Sequence, residues 1–262
     1  MIRYLRLYGY FLRFSFSRAM EFRFDFFFRI FMDTLWYGHH LVFFWILYRH
    51  TSLLGGWTVD QMFVFAGGVF FADAIQMTMV ANNLWMLPNY VNKGDLDYYL
   101  VRPVSSLFFL SLRDFAANSF VNLLMAIGLF TWALARFPGP LGGGAVAAYV
   151  GLLLLGCLLH YCLQMIFTIP VFWLHSSGGL REIFWSLDRY TSRPHGIFTG
   201  WVRKLLVSLL PFALIVSFPT AALFGGLTWR LVAHLAGVTA AAFLLMVWIW
   251  SRGLRAYSSA SS

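Results

Sequence analysis

The sequence predicts an all-α polytopic membrane protein with six transmembrane helices. Of the 262 residues, 60% are hydrophobic and only 11% are charged, too few charges for a surface that faces water. Aromatic residues make up 20%, including 29 Phe and 11 Trp, which is typical of lipid-facing helices and of belts at membrane boundaries. We therefore expect residues 1–262 to form a single transmembrane domain.

Six apolar segments are candidates for the spans. A spanning helix needs about 20 predominantly apolar residues, because each residue rises about 1.5 Å across a hydrocarbon core of roughly 30 Å. The six-span bundle is expected to occupy 27–251, and its fifth span is short and contains two prolines, Pro211 and Pro219. The predicted limits are 27–48, 60–82, 107–135, 145–174, 203–219 and 230–251.

The N-terminal arm, 1–26, is predicted to be a cytoplasmic amphipathic helix. Its polar residues fall within an arc of about 80° on a helical wheel, while Leu and Phe cover the rest. Such a helix lies at the membrane interface with its basic side at anionic lipid headgroups. A disordered basic leader is the alternative, but the many phenylalanines disfavour it. The polar arc consists of Arg3, Arg6, Tyr10, Arg13 and Ser17.

A re-entrant segment is expected before the last helix. Pro219 and the Gly225–Gly226 pair bracket a short apolar patch within 219–228. Two helix-breaking features around an apolar patch favour a segment that dips back into the membrane, shielded by protein. An ordinary turn is the alternative.

Lys and Arg are distributed unevenly between the two sides of this topology. With both termini and the tail 252–262 in the cytoplasm, that side receives sixteen of the 19 basic residues, including those of the inner loops 83–106 and 175–202. The other side receives only three, and the bias follows the positive-inside rule. The basic residues flank apolar runs and form no shared stripe, so we expect no nucleic-acid partner. The three outer residues are Arg49, Arg136 and Arg230.

The sequence contains none of the motifs that would make this chain an enzyme. It has no GxxxxGK[ST] phosphate loop, no HExxH helix and no GxSxG elbow. Asp95 and Asp97 are two residues apart and point to different faces of a helix, which makes a poor metal clamp. His40, His160 and His234 lie in three different predicted spans. We therefore expect no catalytic and no metal-binding residues.

Asp73 is the ionisable residue that stands out within a span. It lies near the middle of the second span and is followed by Gln76, in a helix that also contains the Gly67–Gly68 pair for close helix packing. Acids at membrane depth are costly and usually functional. We therefore place Asp73 and Gln76 on a translocation path or a subunit seam. A purely structural role inside the bundle is the alternative.

The predicted inner loop after the second span carries a string that resembles a known family. Lys93 begins the pattern K-G-D-L-D-x-x-L-x-R-P, which is similar to a loop in membrane subunits of bacterial ABC-type exporters of the type 2 class. The resemblance extends to the layout of the chain, with an amphipathic entry helix and six spans. The string comprises Gly94, Asp95, Leu96, Asp97, Tyr98, Tyr99, Leu100, Arg102 and Pro103.

The resemblance implies a multi-pass permease subunit of the bacterial cytoplasmic (inner) membrane. It would form half of an export path beside a second permease half, identical or homologous, and would sit on two copies of an ABC ATPase. ATP and Mg²⁺ would then bind to the ATPase, with no cofactor in this chain, and the loop 89–103 would couple the two. Other readings of the residues are an integral-membrane enzyme acting on lipids, or a non-catalytic assembly or channel protein.

Within that loop, residues 94–102 are predicted to form a short helix that inserts into the ATPase. Gly94 ends the preceding helix, Asp95 is a favourable N-cap, and Pro103 prevents continuation. Leu96, Tyr99 and Leu100 would form one apolar face, at spacing i, i+3, i+4. The alternative is that this face lies on the membrane or on the protein's own span ends.

Overall fold

The protein is a bundle of α-helices. The computed structural model describes residues 2–19, 23–116, 119–176 and 178–258, and within these ranges it contains no β-strand beyond a single bridge between Leu54 and Trp57. The helices are α1 (Ile2–Ala19), α2 (Arg23–His50), α3 (Val59–Gln76), α4 (Asn82–Lys93), α5 (Asp97–Leu100), α6 (Ser106–Leu112), α7 (Ser119–Arg136), α8 (Gly143–Thr168), α9 (Val171–Leu174), α10 (Gly178–Asp188), α11 (Gly200–Ser208), α12 (Ser217–Gly225) and α13 (Trp229–Ala256).

The bundle has two ends that differ in kind. We call one the turn end, because it holds the short connections 51–58, 137–142 and 226–228. We call the other the Lys93 end, after the last residue of α4. Successive crossings run antiparallel between these two ends.

Several helices have the length and composition of membrane spans. In the described part of the chain, four stretches are long and apolar enough: Val59–Lys93, Ser119–Arg136, Gly143–Leu174 and Trp229–Ala256. The 28-residue α2 packs beside α3 and α7 and is about 42 Å long, so it too has the length to cross. These helices confirm the predicted all-α polytopic class.

Paired tryptophans and arginines mark two levels along the bundle. At the turn end the guanidinium of Arg49 lies 4.2 Å from the Trp45 ring, and that of Arg230 lies 5.9 Å from Trp229. At the Lys93 end Arg252 lies 5.4 Å from Trp248. The two levels are separated by about 33 Å along α13, close to a hydrocarbon thickness of roughly 30 Å. Such belts are expected where helices leave lipid.

The second crossing extends further than predicted. It runs from Val59 to Lys93 as α3, a π-helical turn at Met77–Ala81, and α4. The prediction ended this span at residue 82, so the first part of the expected loop 83–106 is helix. The predicted tail beginning at residue 252 is likewise helical as far as Ala256.

The fifth crossing lies elsewhere than predicted. No continuous helix covers 203–219; instead α10 packs along α8, and the segment after it reaches the turn end, where Gly196 and Ile197 touch Gly55. The predicted inner loop 175–202 therefore contains the crossing itself. Arg193, Arg203 and Lys204, which were predicted on the cytoplasmic side, lie toward the turn end instead. The excess of basic residues at the Lys93 end is therefore smaller than predicted, but it remains an excess.

Residues 200–225 form a hairpin that enters from the turn end and returns to it. The Val207 carbonyl in α11 lies 3.1 Å from Nε2 of His234, in the first turns of α13. Ile215 then contacts the middle of α8 at Gly156. From there α12 returns to the turn end, where the Phe224 ring lies 4.9 Å from the Phe137 ring between centroids. The predicted re-entrant segment is thus confirmed as a hairpin, but it begins well before the predicted limits of 219–228.

The third crossing is broken in the middle. α6 ends at Leu112, α7 starts at Ser119, and the described residues between them, 113–116, are not helical. Asn83 holds this gap: its Nδ2 donates to the Asp114 carbonyl at 2.8 Å, and its Oδ1 accepts from the Asp114 N–H at 2.7 Å. The Ala116 N–H donates to the Thr78 carbonyl in the π-helical turn, at 2.9 Å. Non-helical backbone is tolerated at membrane depth only when it is satisfied by protein in this way.

We expect Asn83→Leu to destabilise the bundle. Leucine has a similarly branched but larger side chain that can neither donate to nor accept from Asp114, so two part-buried backbone groups lose their partners. The free energy of unfolding should fall by about 2–4 kcal/mol. Thermal unfolding in detergent, followed by circular dichroism, measures the change. Asn89→Leu on the same helix is the control, because Asn89 is exposed and meets only the Met86 sulfur at 3.9 Å. Equal unfolding temperatures for the two variants would contradict this role.

The N-terminal helix packs on the broken crossing. Phe11 meets Phe109 of α6 edge to face at 5.1 Å between centroids, and the Ser15 hydroxyl accepts from the Phe115 N–H at 3.1 Å. Every member of the predicted polar arc whose side chain is described is exposed; the side chain of Arg3 lies outside the described residues. The amphipathic helix is therefore confirmed over Ile2–Ala19, and residues 20–22 of the predicted arm lie outside the described ranges.

Glycines allow the crossings to approach closely. A Cβ at Gly67 would lie 3.0 Å from the Cα of Phe130 in α7, and one at Gly68 would overlap the Tyr149 hydroxyl in α8. The predicted Gly67–Gly68 contact is confirmed. Small residues at such contacts are the usual means by which membrane helices pack.

Candidate functional sites

The first candidate site is the loop that follows α4 at the Lys93 end. Gly94 ends α4 in the left-handed conformation, φ 77°, as its position in the sequence predicted. One helical turn follows, α5, and its N-cap is Leu96 without a side-chain bond. The predicted helix over 94–102 is therefore shorter, and Asp95 does not cap it. A single turn of this length is stable only where it is anchored.

Two side chains anchor the loop to its own chain. Leu96 is fully buried in the apolar core of the Lys93 end. The Tyr99 ring packs between Tyr90 and Phe109, at 5.3 and 5.5 Å between centroids, and its hydroxyl accepts from Arg113. Leu96 therefore cannot belong to the exposed docking face that the i, i+3, i+4 spacing predicted, and Tyr99, which is partly buried, packs largely on its own chain. The alternative, packing on the protein's own span ends, holds for them.

The exposed face of the loop consists of other residues. Tyr98 is 70% exposed and Val101 is 82% exposed, with Leu100 at 38% beside them. Arg102 supports this face, since its Nε donates to the Tyr98 carbonyl at 3.2 Å and its guanidinium lies 5.0 Å from the Phe109 ring. The loop is thus fixed by contacts with the rest of the chain, and two of its largely apolar side chains are exposed. We call Tyr98 and Val101 the exposed pair.

The second candidate site is a cavity of about 980 Å³ in the middle of the bundle. It is lined by residues of α2, α3, the π-helical turn, α4, α7, α8 and α10 and of the segment after α10. Asp73 lies on its wall, about 21 Å along α3 from the turn end. Asp73 therefore borders an internal space, and its place on a translocation path or subunit seam stays a prediction. Gln76 does not line the cavity; it is buried, and its Nε2 donates to Oε1 of Gln164 in α8.

Acidic and polar groups from five helices meet in this cavity. Oδ1 of Asp188 lies 3.0 Å from Nε2 of His160 and also accepts from the Thr191 hydroxyl at 3.2 Å. Asp33 accepts from Nδ2 of Asn122. Asp73 interacts electrostatically with Asp188, His160 and Asp33. The three carboxylates therefore face one shared space.

Sequence reasoning missed most of this group. Asp188 was assigned to a polar loop, whereas α10 places it at the depth of His160. Asp33 and Asn122 were passed over within apolar helices, although a charged or amide side chain at membrane depth is itself a signal. The three histidines of different spans do not form a cluster, because each has a different partner. The ring of His40 lies at hydrogen-bond distance from the Trp36 carbonyl, that of His160 from Asp188, and that of His234 from the Val207 carbonyl. Within the described residues no cluster could hold a metal ion.

These features define a polytopic α-helical membrane protein with a polar cavity at its centre and an anchored loop at one end. The chain matches the family described as ABC-2 family transporter protein over residues 34–261, and it belongs to that family. No curated protein and no solved structure matches it. The match makes the chain a membrane permease subunit of an ABC transporter, which works in association with an ABC ATPase.

Proposed function

We propose that this permease is one half of an ATP-driven exporter and that its ATPase docks on the exposed pair at the Lys93 end. The observation that carries the proposal is the contrast within one short loop. Leu96 and Tyr99 are anchored in the chain, while Tyr98 and Val101 project from it at 70% and 82% exposure. A rigid element with exposed aromatic and aliphatic side chains has the properties of an interface hot spot.

The same proposal includes the other subunits of the transporter. Two ATPase copies bind ATP and Mg²⁺, and a second permease half, identical or homologous, completes the path lined by Asp73. The Lys93 end faces the cytoplasm of a bacterial cell and both termini lie on that side. With Arg193, Arg203 and Lys204 assigned to the turn end, thirteen of the 19 basic residues remain assigned to the Lys93 end, and this bias supports the orientation.

Isolating the complex tests this function. The tagged chain, extracted from native membranes in mild detergent, should bring down an ATPase, and the preparation should hydrolyse ATP. ATP-dependent uptake into inside-out vesicles would show the export direction. A chain that purifies without any ATPase and acts by itself on a lipid would be an integral-membrane enzyme instead, and the proposal would be wrong.

The sidedness of the bundle gives a further prediction. Single cysteines replacing Pro140 and Ile197 should react with a membrane-impermeant maleimide in intact cells, whereas a cysteine replacing Lys93 should react only after lysis. All three positions are exposed, and Ile197 lies beside Gly55 at the turn end. The native Cys157 and Cys162 are buried and provide the unreactive background. If the cysteine at position 197 reacts only after lysis, as expected for position 93, the segment after α10 does not reach the outer side and the assignment of the fifth crossing is wrong.

A further inference from the structure

Of the three carboxylates that line the cavity, two are held by neighbouring side chains. Asp33 accepts from Asn122, and Asp188 pairs with His160 and Thr191. Within the described residues, Asp73 has no hydrogen bond and no ion pair. Its carboxylate is directed at a space shared with two other acids, where like charges repel one another.

Asn122 borders the cavity and holds Asp33. The side chain is only 4% exposed and lines the cavity. Its Nδ2 is used in the bond to Asp33, and that assignment leaves Oδ1, a pure acceptor, buried without any partner. A buried acceptor without a donor costs about 1–3 kcal/mol. Oδ1 has almost no accessible surface, so a ligand in the cavity reaches the carboxylate of Asp73 and not this atom.

Aromatic side chains form a large part of the remaining lining. Trp36, Tyr37, Trp85 and Trp185 all face the cavity. Aromatic faces attract cations through their quadrupoles and also cover apolar ligand surface. A volume of about 980 Å³ is in the range of sites for drug-sized molecules.

The positive groups of the lining do not favour an anion. Arg189 and Arg193 are exposed, whereas the acids are at least partly buried. His160 is already engaged by Asp188. An anion in the depth of the cavity would lie against three carboxylates, so the site selects positive charge.

We propose that this cavity binds an organic cation with N–H donors, a protonated amine attached to an apolar or aromatic body. Its ammonium group lies against Asp73 and donates to that carboxylate, while the body packs on the tryptophans. The inference deepens the proposed transport function and rests on it, since it names the class of molecule that the permease carries.

Binding to the full chain in lipid nanodiscs tests this site, with the tryptophans of the cavity as the fluorescent reporter. The three probes are 2-phenylethylammonium, its N,N,N-trimethyl analogue and 3-phenylpropanoate. The primary ammonium should bind, the trimethyl analogue should bind about tenfold more weakly because it has no N–H donors, and the anion should not bind. Asp73→Asn, which keeps the shape of the side chain, should weaken binding of the primary ammonium about tenfold or more.

Asp60→Asn is the matched control, because Asp60 lies in the first turn of the same helix and outside the cavity. It should bind the probe like the wild type. Equal binding of cation and anion, or unchanged binding in Asp73→Asn, would overturn the proposal. Co-isolation of the ATPase is scored separately: its loss in the wild type would contradict the proposed function, while the binding data alone decide on the cation site.

Discussion

Gly156→Ala should unfold the centre of the bundle or expel the re-entrant hairpin. Ile215, at the tip of that hairpin, places its carbonyl oxygen so close to Gly156 that an added methyl group would overlap it. The obstacle is backbone, which cannot rotate away as a side chain can. Overpacking of this kind costs about 3 kcal/mol or more. For a chain of this size, that corresponds to a fall in unfolding temperature of roughly 6–12 °C.

A second glycine of the same helix provides the control. Gly151 has no atom within 4 Å of an added Cβ and is exposed. Gly151→Ala should therefore leave the unfolding temperature unchanged or raise it, since alanine is favoured over glycine in a helix by about 1 kcal/mol. The opposite signs separate close packing from a general effect of substitution. If both variants melt alike, the hairpin is not seated on Gly156.

Replacing the exposed pair with acids should abolish ATPase association. Tyr98→Asp with Val101→Asp removes the apolar contact area and would bury two unpaired charges in the interface. Truncation of hot-spot residues alone costs about 2–4 kcal/mol each, and buried unpaired charge adds to that. Co-isolated ATPase should fall below a few per cent of the wild-type yield, by roughly two orders of magnitude. Quantitative immunoblotting of the isolated complex measures the yield.

The fold should survive these changes, because the two side chains are exposed and the anchors Leu96 and Tyr99 remain. Leu227→Asp with Trp229→Asp is a matched pair at the turn end, with exposures of 55% and 75%. That pair should retain the ATPase. Loss of association in both double variants would indicate general damage and not a docking site.

The crossings that could be predicted are those whose apolar runs are long and uninterrupted. α8 and α13 lie close to their predicted limits because lipid contact demands continuous apolar sequence. Residues 200–225 are equally apolar, so hydropathy could not distinguish a hairpin from a span. Pro211, Pro219 and Gly226 were the local signal, but Gly156, which seats the tip, lies in a different helix.

The polar features depended on partners far apart in the sequence. Asn83 closes the gap at Asp114 across 31 positions, and His160 meets Asp188. The loop after Lys93 was found from its string, yet the spacing rule selected Leu96 and Tyr99 as the outward face. Helical spacing predicts which residues share a face. Which face is buried depends on packing, here against Tyr90 and Phe109, which are not part of the string.

Photo-crosslinking from position 98 tests the proposed role most directly. A benzophenone amino acid in place of Tyr98 should, on irradiation of native membranes, join the chain to a protein with a nucleotide-binding ATPase sequence. The same group at Leu227, on the turn end, should give no such product. Crosslinks from position 98 to lipid alone, or an ATPase crosslink from Leu227, would contradict coupling at the Lys93 end.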